Sequence, residues 1–95
     1  VAVYLVRTYL PDTTADDVRA SVRRVLEAAA QLRREGFGIR CIDTTHVPAD
    51  GWLGCLYEAD NADEVRLAVE RAVLPFDDIV EVIRTACAPT TTRGK

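Results

Sequence analysis

Apolar and polar positions switch between two periods along the chain, and the switches mark out six elements. Val1 to Leu10 is almost continuously apolar and rich in β-branched and aromatic residues, the pattern of a central strand buried on both faces. Pro11-Asp12-Thr13-Thr14 interrupts it. From there Val18, Val22, Val25, Leu26, Ala29 and Leu32 recur at helical spacing and form one apolar stripe, with Arg19, Arg23, Arg24, Glu27, Gln31 and Arg34 around the remaining circumference. Thr14 is placed to cap this helix with Asp17 three residues on, and Gly36 to end it.

Ile39 to Val47 and Trp52 to Ala59 read as two strands joined by Pro48-Ala49-Asp50-Gly51, a turn that wants Gly51 left-handed. Asn61 and Glu64 cap a second helix whose stripe is Val65, Ala68, Val69, Ala72 and Val73, and Pro75 stops it. A last strand is expected from Ile79 to Ala86. The order β-α-β-β-α-β predicts an α+β, ferredoxin-like domain over residues 1–88, a four-stranded antiparallel sheet with two helices on one face. Residues 89–95 are Thr-rich and read as a flexible C-terminal tail. Each strand carries apolar side chains on both faces, so the face without helices exposes more apolar surface than a soluble monomer usually shows. A homodimer through that face, or through edge strands, is the expected remedy.

Composition adds exclusions. Ninety-five residues make one small domain, and 48% hydrophobic with 28% charged residues is a globular balance. A net charge of −3 speaks against a nucleic-acid partner, which needs a basic surface to neutralise phosphates. Every basic residue except Lys95 is arginine, which reads as codon bias. The three cysteines Cys41, Cys55 and Cys87 form no Cys-x-x-Cys pair, so neither a zinc ribbon nor a thioredoxin motif is present, and free thiols in the cytoplasm are expected. No run is long enough to span a membrane, and the apolar start is a strand rather than a targeting peptide. A phosphate loop, a nucleophile elbow and a His-Glu-x-x-His signature are all missing, so the sequence offers no catalytic motif.

With Tyr4-Leu5-Val6-Arg7-Thr8-Tyr9, Cys55-Leu56-Tyr57-Glu58-Ala59, Glu64-Val65-Arg66, Arg71-Ala72 and Leu74-Pro75 leading into Ile79-Val80-Glu81-Val82, the chain resembles a family of small ferredoxin-like bacterial proteins. That family, formerly of unknown function, includes a nickel-binding protein. The resemblance covers nearly the whole chain. It implies a ferredoxin-like dimer that binds nickel or another divalent metal at its surface. A non-enzymatic metal-binding or sequestering protein, with no organic cofactor, is the leading expectation. The chain departs from the family pattern in three places: Arg40 stands where an aromatic residue is usual, Thr44-Thr45 replace a Ser-Tyr pair, and Val73 replaces a Gly before Leu74-Pro75.

Nickel favours imidazole and thiolate donors supported by carboxylates. His46, the only histidine, sits near the hairpin turn with Asp50. Strict alternation puts it on the same sheet face as Gly54 and Glu58, so His46, Asp50 and Glu58 are the candidate ligands. The bland reading of His46 is an ordinary polar hairpin residue. Cys41 and Cys55 share the other face and read as apolar filler before they read as soft ligands or a redox pair. The acids Glu58, Asp60, Asp63 and Glu64 cluster at a helix start, where carboxylates are favourable in any case. The competing function is a dimeric barrel-type cavity enzyme (a monooxygenase or isomerase) or a small-ligand-binding protein. It would use Trp52, Tyr57, Tyr4, His46 and Arg7, but alternation divides these between two faces.

Overall fold

In the computed structural model, which describes residues 2–85, the elements are β1 (Ala2–Tyr9), α1 (Ala15–Arg34), β2 (Arg40–Val47), β3 (Trp52–Ala59), α2 (Ala62–Arg71) and β4 (Asp78–Val82). The strands form one antiparallel sheet in the order β2-β3-β1-β4. This is the ferredoxin-like arrangement that the sequence predicts. β4 is shorter than expected, ending at Val82 rather than Ala86, and Ala86 itself lies outside the described residues, as do Cys87 and the 89–95 tail.

Alternation along the two central strands decides what is inside. Tyr4, Val6 and Thr8 of β1 pair with Tyr57, Cys55 and Leu53 of β3 on the helix side, where Val6, Thr8, Leu53, Cys55 and Tyr57 are all buried. The opposite side carries Val3, Leu5, Arg7 and Tyr9 beside Glu58, Leu56, Gly54 and Trp52. From the helices, Val25, Ala28, Leu32, Val65, Ala68 and Val69 complete the core. Two buried hydroxyls, Thr8 Oγ1 and Tyr57 Oη, have no hydrogen-bond partner among the described residues.

Helix α1 begins as expected. The Thr14 side chain accepts from the Asp17 N–H, and the Asp17 carboxylate accepts from the Thr14 N–H. Its buried stripe, however, is Val18, Ser21, Val25, Ala28, Ala29 and Leu32. Leu26, expected in the core, is 50% exposed. The helix is rotated so that Val22 and Leu26 face the outer strand β2 rather than the sheet centre. Arg24, expected on the solvent side, donates through Nε to the Ala72 carbonyl at 3.0 Å and ties α1 to the end of α2. Arg71 and Glu35 make a second tie at 2.5 Å.

Both helices end in the same hydrogen-bonded motif, with different residues at its tight point. In α1 the N–H of Gly36 donates to Arg33 and that of Phe37 to Leu32, and Gly36 has φ +105°. In α2 the N–H of Val73 donates to Glu70 and that of Leu74 to Val69, and Val73 has φ +55°. A β-branched residue is costly there because its Cβ crowds the following carbonyl. Helix α2 therefore stops at this motif, three residues before Pro75, and Val73 is 77% exposed rather than on the buried stripe. Val73→Gly is expected to raise stability by about 1 kcal/mol, and Gly36→Val to lower it by at least as much, as measured by urea denaturation. Equal midpoints for Val73→Gly and the parent chain would show that no strain is stored at this turn.

Candidate functional site

β2 is one of the two outer strands, and its register fixes where the predicted ligands fall. Arg40 and Cys41 pair with Glu58 and Tyr57, but the next paired residue is Asp43, opposite Leu56. Ile42 is therefore an extra residue, a bulge that flips every side chain beyond it to the other face. Local bonds hold it: the Thr44 N–H donates to Asp43 Oδ1 at 2.9 Å, and Cys41 Sγ reaches the Asp43 carbonyl at 3.8 Å. Asp43, Thr45 and Val47 pair with Leu56, Gly54 and Trp52 on the open face, while Thr44 and His46 pair with Cys55 and Leu53 on the helix side.

The consequence for the candidate ligands is direct. His46 does not share a face with Gly54 and Glu58, as strict alternation required; it lies partly buried on the helix side. Glu58 lies on the open face with Arg40 across from it, Nε to Oε1 at 3.9 Å. Asp50 is exposed in the turn, where its N–H and that of Gly51 both donate to the Val47 carbonyl. Gly51 has φ +74°, the left-handed conformation expected of it. The structure thus keeps His46 and Asp50 at one end of the β2–β3 hairpin and separates Glu58 from them. Among the described residues no three His, Cys, Asp or Glu side chains gather closely enough to hold a metal ion.

A scan of known families matches the model described as "Nickel responsive protein SCO4226-like" over residues 4–82. The chain belongs to the SCO4226-like family. Among solved structures, it is similar to SCO4226 from Streptomyces coelicolor A3(2), with a TM-score of 0.75 and 23% identity over 90% of this chain and 100% of the other. At that identity the likeness bears on the fold alone. A search of the curated proteins finds no match.

Around the SCO4226-like hairpin, one residue that sequence reasoning missed comes into view. Asp12 follows Pro11 with φ +58° and lines, with Tyr9, Pro48, Ala49, Asp50 and Gly51, a cleft of about 210 Å³. The Leu10 N–H donates to the Gly51 carbonyl at 2.7 Å, which holds the β1–α1 loop against the hairpin turn. Pro-Asp as a turn pair was legible in the sequence, but its proximity to Asp50 depends on this tertiary contact.

The other candidates divide as alternation predicts. Arg7, Trp52 and Tyr9 gather on the open face, with the Arg7 guanidinium 5.9 Å from the Trp52 ring centre and the Tyr9 and Trp52 rings 5.6 Å apart. Arg7 is occupied by Asp78, to which it donates from Nε at 2.9 Å and from a terminal nitrogen. That bonding holds the Asp78 carboxyl below its usual range. Tyr4 and Tyr57 lie on the helix side. The cavities found beside α1 and at the hairpin end are lined by none of Trp52, Tyr57, Tyr4, His46 or Arg7.

Cys41 and Cys55 do share a face, but on the helix side, where burial pushes both thiols up, Cys55 from 9.0 to about 12. Thiols held protonated are poor nickel ligands and poor nucleophiles. Iodoacetamide at pH 8 is expected to leave Cys55 unmodified in the native chain and to label it fully in denaturant, read by peptide mass mapping. The raised value also gives a sign. The unfolded thiol ionises first, so stability held below pH 9 falls as pH rises from 9.0 towards about 12. Cys55→Ala is expected to flatten that fall, and an unchanged slope would mean that Cys55 is not protected.

Proposed function

We propose that this chain is a small, non-catalytic metal-binding protein of the nickel response, acting as a homodimer, with His46 as the anchoring ligand. The observation that carries this reading is membership, across residues 4–82, of a family described as nickel responsive. His46 supports it as the chain's only imidazole, partly accessible at the outer end of the edge strand. Asp50 is the natural second donor, at the same end of the hairpin and exposed.

One chain offers nickel a thin donor set. With the thiols protonated and Glu58 on the other face, His46 and a carboxylate must be completed by water or by a second copy. Such a site is open and exchangeable, suited to sensing or buffering a metal rather than to holding it permanently. Glu58 can join a metal only across a dimer contact, because it sits on the face that a second copy would cover. That face supports the dimer: Val3, Leu5, Leu56, Val80 and Val82 are all apolar there and Val80 is 39% exposed, with Tyr9 and Trp52 at one end. An uncovered apolar sheet face of this kind is uncommon in monomers.

Calorimetric titration of the tag-free protein with Ni²⁺ tests the reading. Saturable uptake is expected, weakened about tenfold or more by His46→Ala and less by Asp50→Ala. Absence of saturable heat, or full retention in His46→Ala, would reject His46 as the anchor.

A further inference from the structure

Beside α1 the structure leaves a second feature that the nickel reading does not use. Three neighbouring cavities, of about 520, 430 and 220 Å³, share Leu26 in their lining and so form one trough between α1 and the outer strand β2. From Val18 to Arg33 it follows α1 for roughly 22 Å, at the helical rise. Its apolar lining residues are Val18, Val22, Leu26 and Ala29 from the helix and Cys41 and Ile42 from the strand, with Thr44 beside them. Leu26, at its middle, is 50% exposed.

Its rim is cationic. Arg19 and Arg23 stand at one end and Arg33 and Arg40 at the other, against a single lining carboxylate, Asp43. This positive stretch belongs to a chain of net charge −3, so it is a local concentration rather than a general surface property. Arg19 is engaged by Asp16, whereas Arg23 makes no ion pair among the described residues. Arg33 donates to the Ile39 carbonyl at 3.3 Å, which holds its guanidinium at the trough end. Arg40 starts on the open face, loosely against Glu58 at 3.9 Å, and lines the trough end from the edge of β2. The thiol of Cys41 is held neutral by burial, so the floor brings no negative charge of its own.

We propose that this trough binds a free amphipathic carboxylate of the fatty-acid type, its headgroup on Arg33 and Arg40 and its chain laid over Leu26 and Val22. The apolar lining takes the chain, and guanidiniums at one end suit a carboxylate. Other occupants fit less well. An added peptide strand would need a regular edge, and the bulge at Ile42 breaks the edge of β2. The chain's own C-terminal residues include Arg93 and Lys95, which carry the wrong charge for a basic rim.

The test is a titration of the ¹⁵N-labelled full chain with sodium dodecanoate below its micelle concentration, followed by amide shifts. Saturable shifts are expected at Leu26, Ala29, Cys41 and Thr44, with binding weakened about tenfold by the double variant Arg33→Gln with Arg40→Gln. Leu26→Gln, at an exposed position, is expected to weaken it as well, and circular dichroism would check that each variant folds. Equal binding of dodecyltrimethylammonium would overturn the proposal, because the rim would then play no part. So would shifts confined to the open face around Leu5, Leu56 and Val80, binding only to anionic phosphatidylglycerol vesicles, or trough shifts that follow protein concentration instead of dodecanoate. His46→Ala is expected to leave dodecanoate binding unchanged, which separates failure here from failure of the nickel reading.

Discussion

The pairing of β1 with β3 is the constraint on which the rest of this molecule depends. Tyr4 against Tyr57, Val6 against Cys55 and Thr8 against Leu53 place one set of side chains beneath both helices. A slip of one residue would turn one strand over against the other, sending either Val6 or Cys55 and Tyr57 to the uncovered face and bringing Arg7 or Glu58 into the core. Buried charge without partners makes that alternative expensive, so the register is strongly specified. It also fixes the chemistry, because it decides which polar groups reach solvent and on which side.

The helices then impose the asymmetry of the domain. Arg24 and Arg71 tie α1 to α2, with α1 lying nearest β2 and α2 nearest β4 and β3. The outer strand β2 is left only partly covered, and it is also the strand that bulges. From this follow both features of interest: His46 turned to the helix side near the hairpin end, and the trough whose middle is Leu26. Neither requires an unusual residue. Both arise because a four-stranded sheet is wider than the pair of helices packed on it.

Much of this was legible in the sequence, and the failures have particular causes. The Thr14–Asp17 and Asn61–Glu64 caps, Gly36 and Gly51 could be read because each is a local contract between residues three or four apart. The two β-α-β halves and the family resemblance fixed the topology. The bulge at Ile42 was not legible, since Cys41-Ile42-Asp43 carries no glycine or proline to mark it, whereas the turn that sets Val47 opposite Trp52 already places His46 opposite Leu53 and away from Glu58. Leu26 misled because a helical stripe fixes a face only to within about one residue. Val73 at positive φ was signalled only by its departure from a family glycine, and nothing local showed that Asp12 and Asp50 line one cleft.

The register also leaves one debt: an apolar face of Val3, Leu5, Leu56, Val80 and Val82 with no helix above it among the described residues. A second copy is the cover that this account requires, and sedimentation equilibrium measures it directly. The account predicts twice the chain mass at micromolar concentration, and conversion to monomer on Leu56→Asp. A parent chain that remains monomeric across the accessible concentration range would contradict it.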